Sequence, residues 1–201
     1  MVKFGEAIDP EVNARLCGLA AAVAASGLPV TDAAPSYASL LVCYDPLRIS
    51  RREMISALKA LDTGGSAGSS SSVLHRIPVY YGGENGPDME NVCRHTGLTP
   101  EEVVRLHSAP EYTVFMVGFL PGFPYLGGMD PKLETPRLET PRTKIPSGSV
   151  GIGGKQTGIY PMPSPGGWQL IGRTDAVLFD AERQPPALLK AGDRIKFVPV
   201  R

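Results

Sequence analysis

The chain has 201 residues, 42% of them hydrophobic, with 20 Lys plus Arg against 20 Asp plus Glu. That length suits one large domain or two small ones, and the even charge balance argues against a nucleic-acid partner. The three cysteines, Cys17, Cys43 and Cys93, are odd in number and far apart, which argues against a disulfide framework or a zinc site and for a reducing, cytoplasmic setting.

Val2 to Phe4 reads as the tail of a strand. Asp9-Pro10-Glu11 is a helix start, with Asp as N-cap, Pro at the first helical position and an acid in the first turn. Val12, Leu16, Leu19 and Val23 follow at helical spacing, and Gly27 ends the helix. The Ala-rich stretch from Leu16 to Ala25 could pass for the apolar part of a signal peptide, but Asp9 and Glu11 stand where a basic leader would be. No apolar run approaches the ~18 residues that span a bilayer, so no membrane partner is expected. Ser39 to Tyr44 predicts a strand. A capping box from Ser50 to Glu53, with Ile49 and Met54 as hydrophobic staple, opens a second helix carrying Leu58 and Leu61. Residues 1–61 therefore predict strand, helix, strand, helix: a small α+β domain.

Residues 62–72 read DTGGSAGSSSS, a flexible linker by composition. The stretch lacks the apolar surroundings and partner lysine of an amidase Ser-Ser-Lys site. Residues 73–201 form the second domain. His75 to Tyr81 predicts its first strand, and Gly86-Pro87 opens a short helix stopped at Gly97. A box from Thr99 to Glu102 opens another helix that runs through His107. Tyr112 to Leu120 is an apolar strand. Leu133 to Arg142 is a five-residue duplication, LETPR-LETPR, whose two X-Pro steps make an extended loop with an arginine every five residues. Strands are expected at Trp168 to Ile171, Val177 to Phe179 and Ile195 to Val200, with a turn at Ala191-Gly192-Asp193.

The most informative stretch runs from Val114 to Thr174, where Gly and Pro interleave with Phe, Tyr and Trp. Such a pattern writes short strands joined by rigid loops that present flat apolar faces, as in a β-barrel with a pocket. From Pro141 to Gly172 there is no Asp or Glu, while Arg142, Lys144 and Lys155 are present and Arg173 follows. A concave aromatic site with only positive charge nearby favours an anionic or carbonyl-rich ligand. Phe123, Tyr125, Gln156, Thr157, Tyr160 and Trp168 are the expected substrate contacts, with Arg173 as charge partner. Backbone N–H groups at Gly153, Gly154 and Gly158 could cradle an oxyanion, and His107 is the candidate general acid/base. Several motifs fail. A P-loop would need a glycine at Ser149 and a hydroxyl at Gln156. A dinucleotide fingerprint breaks at the same Gln156, no Gly-x-Ser-x-Gly elbow occurs, and His75, His95 and His107 lack metal-binding spacing. The chain reads as part of a catalytic machine.

The runs HSAPEY, GFLPGFPYLGG, IPSGSVGIGGKQTGIYP, SPGGWQLIGRT and GDRIKFVPV resemble the family of carboxyltransferase domains, subdomains C and D. Its members go by allophanate hydrolase subunit 1, 5-oxoprolinase B subunit and Kip-type inhibitor of a sporulation kinase. The resemblance implies an α+β fold: a small N-terminal α+β domain followed by a cyclophilin-like β-barrel. It implies a sister protein of the C type, also named allophanate hydrolase subunit 2, and a third LamB/YcsF-type subunit. It also implies ATP, used by the complex to open 5-oxoproline to glutamate. Relatives begin with a longer first strand, of which only Val2-Lys3-Phe4-Gly5 stands here. No amidase signature accompanies the allophanate hydrolase name. Three other readings stay open: an inhibitor docking a sensor histidine kinase, half of a urea carboxylase-type site, and, from the barrel class alone, a prolyl isomerase.

Overall fold

The computed structural model describes residues 1–5, 9–62 and 72–200. The chain divides into two compact units, Met1–Ser72 and Val73–Arg201. The predicted linker, apart from Asp62 and Ser72, lies outside the described residues.

In the first unit, strand β1 (Val2–Lys3) precedes helix α1 (Pro10–Ala25), strands β2 (Val30–Pro35) and β3 (Ser39–Tyr44), and helix α2 (Arg51–Leu61). The three strands form an antiparallel sheet in the order β1-β3-β2. Strand β2 departs from the sequence reading. Its residues VTDAAP are small or polar and carry little strand signal, and pairing with β3 supplies what propensity lacks. Leu16, Leu19 and Val23 of α1 meet Leu40 and Val42 of β3 and Met54 and Leu58 of α2 in one buried cluster. Both helix starts are chemical as predicted. The Asp9 carboxylate accepts from the N–H groups of Glu11 and Val12 at 2.7 and 3.2 Å. The Ser50 hydroxyl accepts from Glu53 N–H at 3.3 Å while the Glu53 carboxylate accepts from Ser50 N–H at 2.9 Å. Ser50→Ala removes half of that box. It should cost about 1 kcal/mol of local stability, read as roughly fivefold faster amide exchange across α2; unchanged exchange would show that packing alone holds the helix.

The second unit contains β4 (Leu74–Tyr81), α3 (Met89–Thr96), α4 (Pro100–Ser108), β5 (Tyr112–Val117), β6 (Pro124–Gly127), β7 (Arg142–Ile145), β8 (Ser149–Gly153), β9 (Gln156–Ile159), β10 (Ser164–Gly166), β11 (Gln169–Arg173) and β12 (Arg194–Val200). Seven strands close a barrel in the order β11-β4-β12-β5-β6-β9-β8, and β7 with β10 makes a separate two-stranded ribbon. The fold is thus the expected α+β arrangement with a closed barrel. Every barrel pairing is antiparallel except β4 with β12, which run parallel from Leu74↔Arg194 to Tyr80↔Val200. Inward residues Ile77, Val79, Val114, Leu126, Val150, Ile152, Ile171 and Phe197 fill the barrel, and Met89, Val92 and Val103 of the two helices extend that core. The strand expected at Val177–Phe179 does not form. Only an isolated bridge from Phe179 to Ala187 occurs there, and Val177 is exposed.

Candidate functional site

Outside the barrel core a second buried cluster gathers Phe123, Ile145, Tyr160, Trp168 and Leu170, with Tyr125 packed against it. Its floor is made by glycines of β8 and β9. A Cβ placed on Gly153 would stand 2.5 Å from Trp168 Nε1, and one on Gly158 would stand 3.2 Å from both the Phe123 and Trp168 rings. The indole can lie this close to the strands only because those positions carry no side chain. Phe123 holds the group together, with ring centroids 4.9 Å from Tyr125, 5.2 Å from Tyr160 and 5.6 Å from Trp168, the latter two edge to face. Between these rings, Pro141 of the repeat loop, and Pro165 and Gly166 of β10 with the following Gly167, lies a cavity of about 300 Å³. That is the low end of the size of small-molecule sites.

Two rim residues escaped the sequence reading. Phe119 is the one non-glycine residue with positive φ among the described residues, at 71°. It is 62% exposed and meets Phe123 edge to face at 5.7 Å. An aromatic residue in the left-handed region costs on the order of 1–3 kcal/mol, and such strain gathers at functional sites. Arg137, from the first copy of the repeat, lies 5.9 Å over the Trp168 ring and, among the described residues, is the only charged one lining the cavity. Burial pushes the Tyr160 phenol up to about 12, partly offset by the Arg137 charge. The Tyr125 phenol is raised by the same cause and lowered by the same arginine. Both are neutral hydrogen-bond donors at pH 7. Arg142, from the second copy, has another task. Its guanidinium donates to the buried Asp88 carboxylate at 2.7 Å, and the other Asp88 oxygen accepts from Leu170 N–H at 2.7 Å. Asp88 thereby ties the β7–β10 ribbon to barrel strand β11, beside the cavity.

The structure gathers Phe123, Tyr125, Tyr160 and Trp168 around the cavity, over Gly153 and Gly158. It does not bring the remaining predicted residues there. Gln156 begins β9, half-buried, outside the lining. Arg173 is exposed and donates from Nε to the Ser147 carbonyl at 3.2 Å. The backbone N–H groups offered as an oxyanion cradle belong to the sheet. Gly154 N–H donates to the Thr135 carbonyl at 2.8 Å, Gly153 pairs with Gln156, and Gly158 is paired on both sides with Gly151 and Tyr125. His107 lies in the barrel interior with no exposure, and Thr157 faces it there. The Thr157 hydroxyl donates to the Gly151 carbonyl at 3.0 Å, so it accepts from His107 Nε2–H at 2.8 Å. Nδ1 is then the acceptor for the Tyr81 hydroxyl, also at 2.8 Å. Burial lowers the His107 pKa to about 3. The ring stacks on Phe197 at 4.6 Å. Both nitrogens are committed inside the fold, a geometry that suits a neutral structural bridge, and His107 is not among the residues lining the cavity.

Another hollow, of about 240 Å³, lies in the first unit beside Met1, Val2, Ile55 and Leu58. Its walls are mainly apolar beside the short β1, with Lys59 and Asp62 as the charged members of its lining. Among the described residues no group of three His, Cys, Asp or Glu could hold a metal ion, and no helix is long and apolar enough to cross a membrane.

A family model described as "Carboxyltransferase domain, subdomain C and D" matches residues 1–189. The 5-oxoprolinase B subunit of Bacillus subtilis is 41% identical over 213 residues, covering 98% of this chain and 88% of that protein. The 5-oxoprolinase B subunit of Haemophilus influenzae is 59% identical over 122 residues, covering 61% of this chain and 57% of that protein. Among solved structures, TTHA0988 matches with a TM-score of 0.89 at 39% identity; the match covers 100% of this chain, which spans 39% of that one.

Proposed function

This chain belongs to the family of carboxyltransferase domains, subdomains C and D, and on that premise we propose that it is the B-type subunit of a heteromeric 5-oxoprolinase. Relatives that carry this name align with most of the chain. In this reading the aromatic cavity is half of a shared site: it receives the flat lactam ring and is covered by a sister subunit. One observation carries the reading. The lining offers aromatic faces, two neutral phenols and one guanidinium, but no carboxylate, imidazole, thiol or amine. Such a site can stack a ring, orient its amide and keep water off it, yet it has no group suited to shuttle a proton at neutral pH. The proton-transfer groups come from the partner, so the chain is not an autonomous enzyme. The outward-facing Phe119 at the rim suits a partner's pocket, since exposed aromatic anchors dominate such contacts. The longer TTHA0988 polypeptide, in which this fold is 39% of the chain, is consistent with a partner closely associated with it.

The reaction that the family resemblance implies opens the lactam of 5-oxoproline to glutamate with ATP. A cavity of about 300 Å³ with a single cation does not fit a nucleoside triphosphate, and no phosphate-cradling loop lines it. ATP is therefore assigned elsewhere in the complex, to the sister subunit or to a LamB/YcsF-type third one. Reconstitution tests the proposal. The purified chain should show no 5-oxoproline-dependent ATP turnover, and addition of its sister subunits should restore it. Phe119→Ala should weaken assembly by on the order of 30-fold, measured by titrating the sister subunit. Turnover by the chain alone, or none in the full complex, would discard the reading.

A further inference from the structure

We propose that Arg137 is the specificity-determining residue of the cavity, holding the carboxylate of a small flat acid while its ring lies against Trp168. This inference rests on the shared-site reading above and names the ligand feature that this half of the site selects.

Three observations converge on Arg137. The first is that its guanidinium is uncommitted. Among the described residues it forms no ion pair and donates no hydrogen bond. Arg142 and Arg173 lie outside the lining: Arg142 Nη2 donates to Asp88 and Arg173 Nε to the Ser147 carbonyl. The second is that its backbone is pinned to the cavity wall on both sides. The Pro136 carbonyl accepts from Gln169 Nε2 at 3.0 Å, and Leu138 N–H donates to the Gly167 carbonyl at 2.7 Å. Gln169 follows Trp168 and Gly167 precedes it, so the loop that carries Arg137 is fastened to the segment that carries the indole. A cation on such a mount is preorganised, which reduces the entropy lost on binding. The third is the field: the lining holds no acid, so the one positive charge is unopposed.

A guanidinium presents a planar fork that fits a carboxylate bidentately. Its position over the indole face places that carboxylate at the rim, in line with a ring stacked on Trp168. The Tyr160 phenol, which senses the Arg137 charge, is then a donor for the amide carbonyl of the same molecule. A neutral lactam would fill the rings but leave the fork without its anion.

Trp168 is the only tryptophan of the chain, so its fluorescence reports on this cavity alone. Wild type, Arg137→Gln and Arg137→Lys would be titrated with 5-oxoproline, with its neutral carboxamide and with pyrrole-2-carboxylate, as the chain alone and in the complex. Wild type should prefer either acid to the amide by on the order of 10- to 100-fold, the range of a lost charge-assisted pair. Arg137→Gln should lose that preference, and Arg137→Lys should recover part of it. In the complex the loss should fall on KM for 5-oxoproline more than on kcat, because the contact serves binding in ground and transition states alike. An Arg137→Gln variant that still prefers the acids overturns the proposal, as does a wild type that binds acid and amide equally or binds no acid in either form. If pyrrole-2-carboxylate binds through Arg137 and 5-oxoproline does not, the carboxylate site stands and the 5-oxoprolinase reading falls.

Discussion

Replacing His107 with alanine lowers the stability of the barrel unit by about 3–5 kcal/mol, the cost of emptying a fully packed ring site. The imidazole is without exposure, stacks on Phe197 and joins Tyr81 to Thr157. Removing it opens a void between these side chains and strands the Tyr81 hydroxyl. Denaturant titration of the full chain, followed through Trp168, measures the loss. His107→Gln gives a milder loss and a second signature. Above the ordinary value of 6.5, the wild-type imidazole is neutral in both folded and unfolded chains. As pH falls from 6.5 toward about 3, the unfolded chain takes up a proton that the folded chain refuses. Stability therefore falls with pH in that window, by up to about 1.4 kcal/mol per unit, and below it the contribution is gone. His107→Gln should lack this slope. If the variant keeps the wild-type slope, the buried bridge is wrongly placed. If it is stable but inactive in the complex at pH 7, the acid/base role foreseen from sequence regains its claim.

The second large effect is expected at Gly153. Gly153→Ala introduces a methyl 2.5 Å from Trp168 Nε1, closer than any unstrained contact allows. The indole must leave strand β8 and enter the cavity it now borders. Misplacing a ring wall by about 1 Å can cost on the order of 100-fold, so kcat/KM of the complex should fall by about that factor. Trp168 emission should shift, while the denaturation midpoint changes less than in the His107 variants. Wild-type kcat/KM in a Gly153→Ala complex would show that the stacked floor is not part of the site.

The starts of α1, α2 and α4 were legible in the sequence, whereas α3, read as opening at Gly86-Pro87, begins at Met89 without a side-chain cap. A cap is a contact between residues two or three apart, so Asp9, Ser50 and Thr99 announce it locally. Strand β2 was not, because its identity lies in its partner: VTDAAP becomes a strand only through register with β3. Val177–Phe179 shows the converse, a pattern with no partner strand to complete it. The aromatic half of the site could be read from Gly and Pro interleaved with rings, since those residues build shaped loops. Which charge joined it could not. The duplicated LETPR presents two equivalent arginines in sequence, and only the fold sends Arg137 to the cavity and Arg142 to Asp88. His107 was not placed by sequence for a similar reason, since only the fold turns its ring inward to Tyr81, Thr157 and Phe197. The predicted oxyanion glycines sit beneath the site with their amides facing the sheet, so Gly153 and Gly158 matter there for the side chains they lack.

The parallel seam between β4 and β12 has a bearing on biosynthesis. Leu74 emerges from the ribosome long before Arg194, its registered neighbour. Until β12 follows, the nascent chain holds β4 and β5 as open apolar edges that invite foreign strands. The cylinder can close only once β12 has emerged, so a chaperone would shelter the open edges best in that interval.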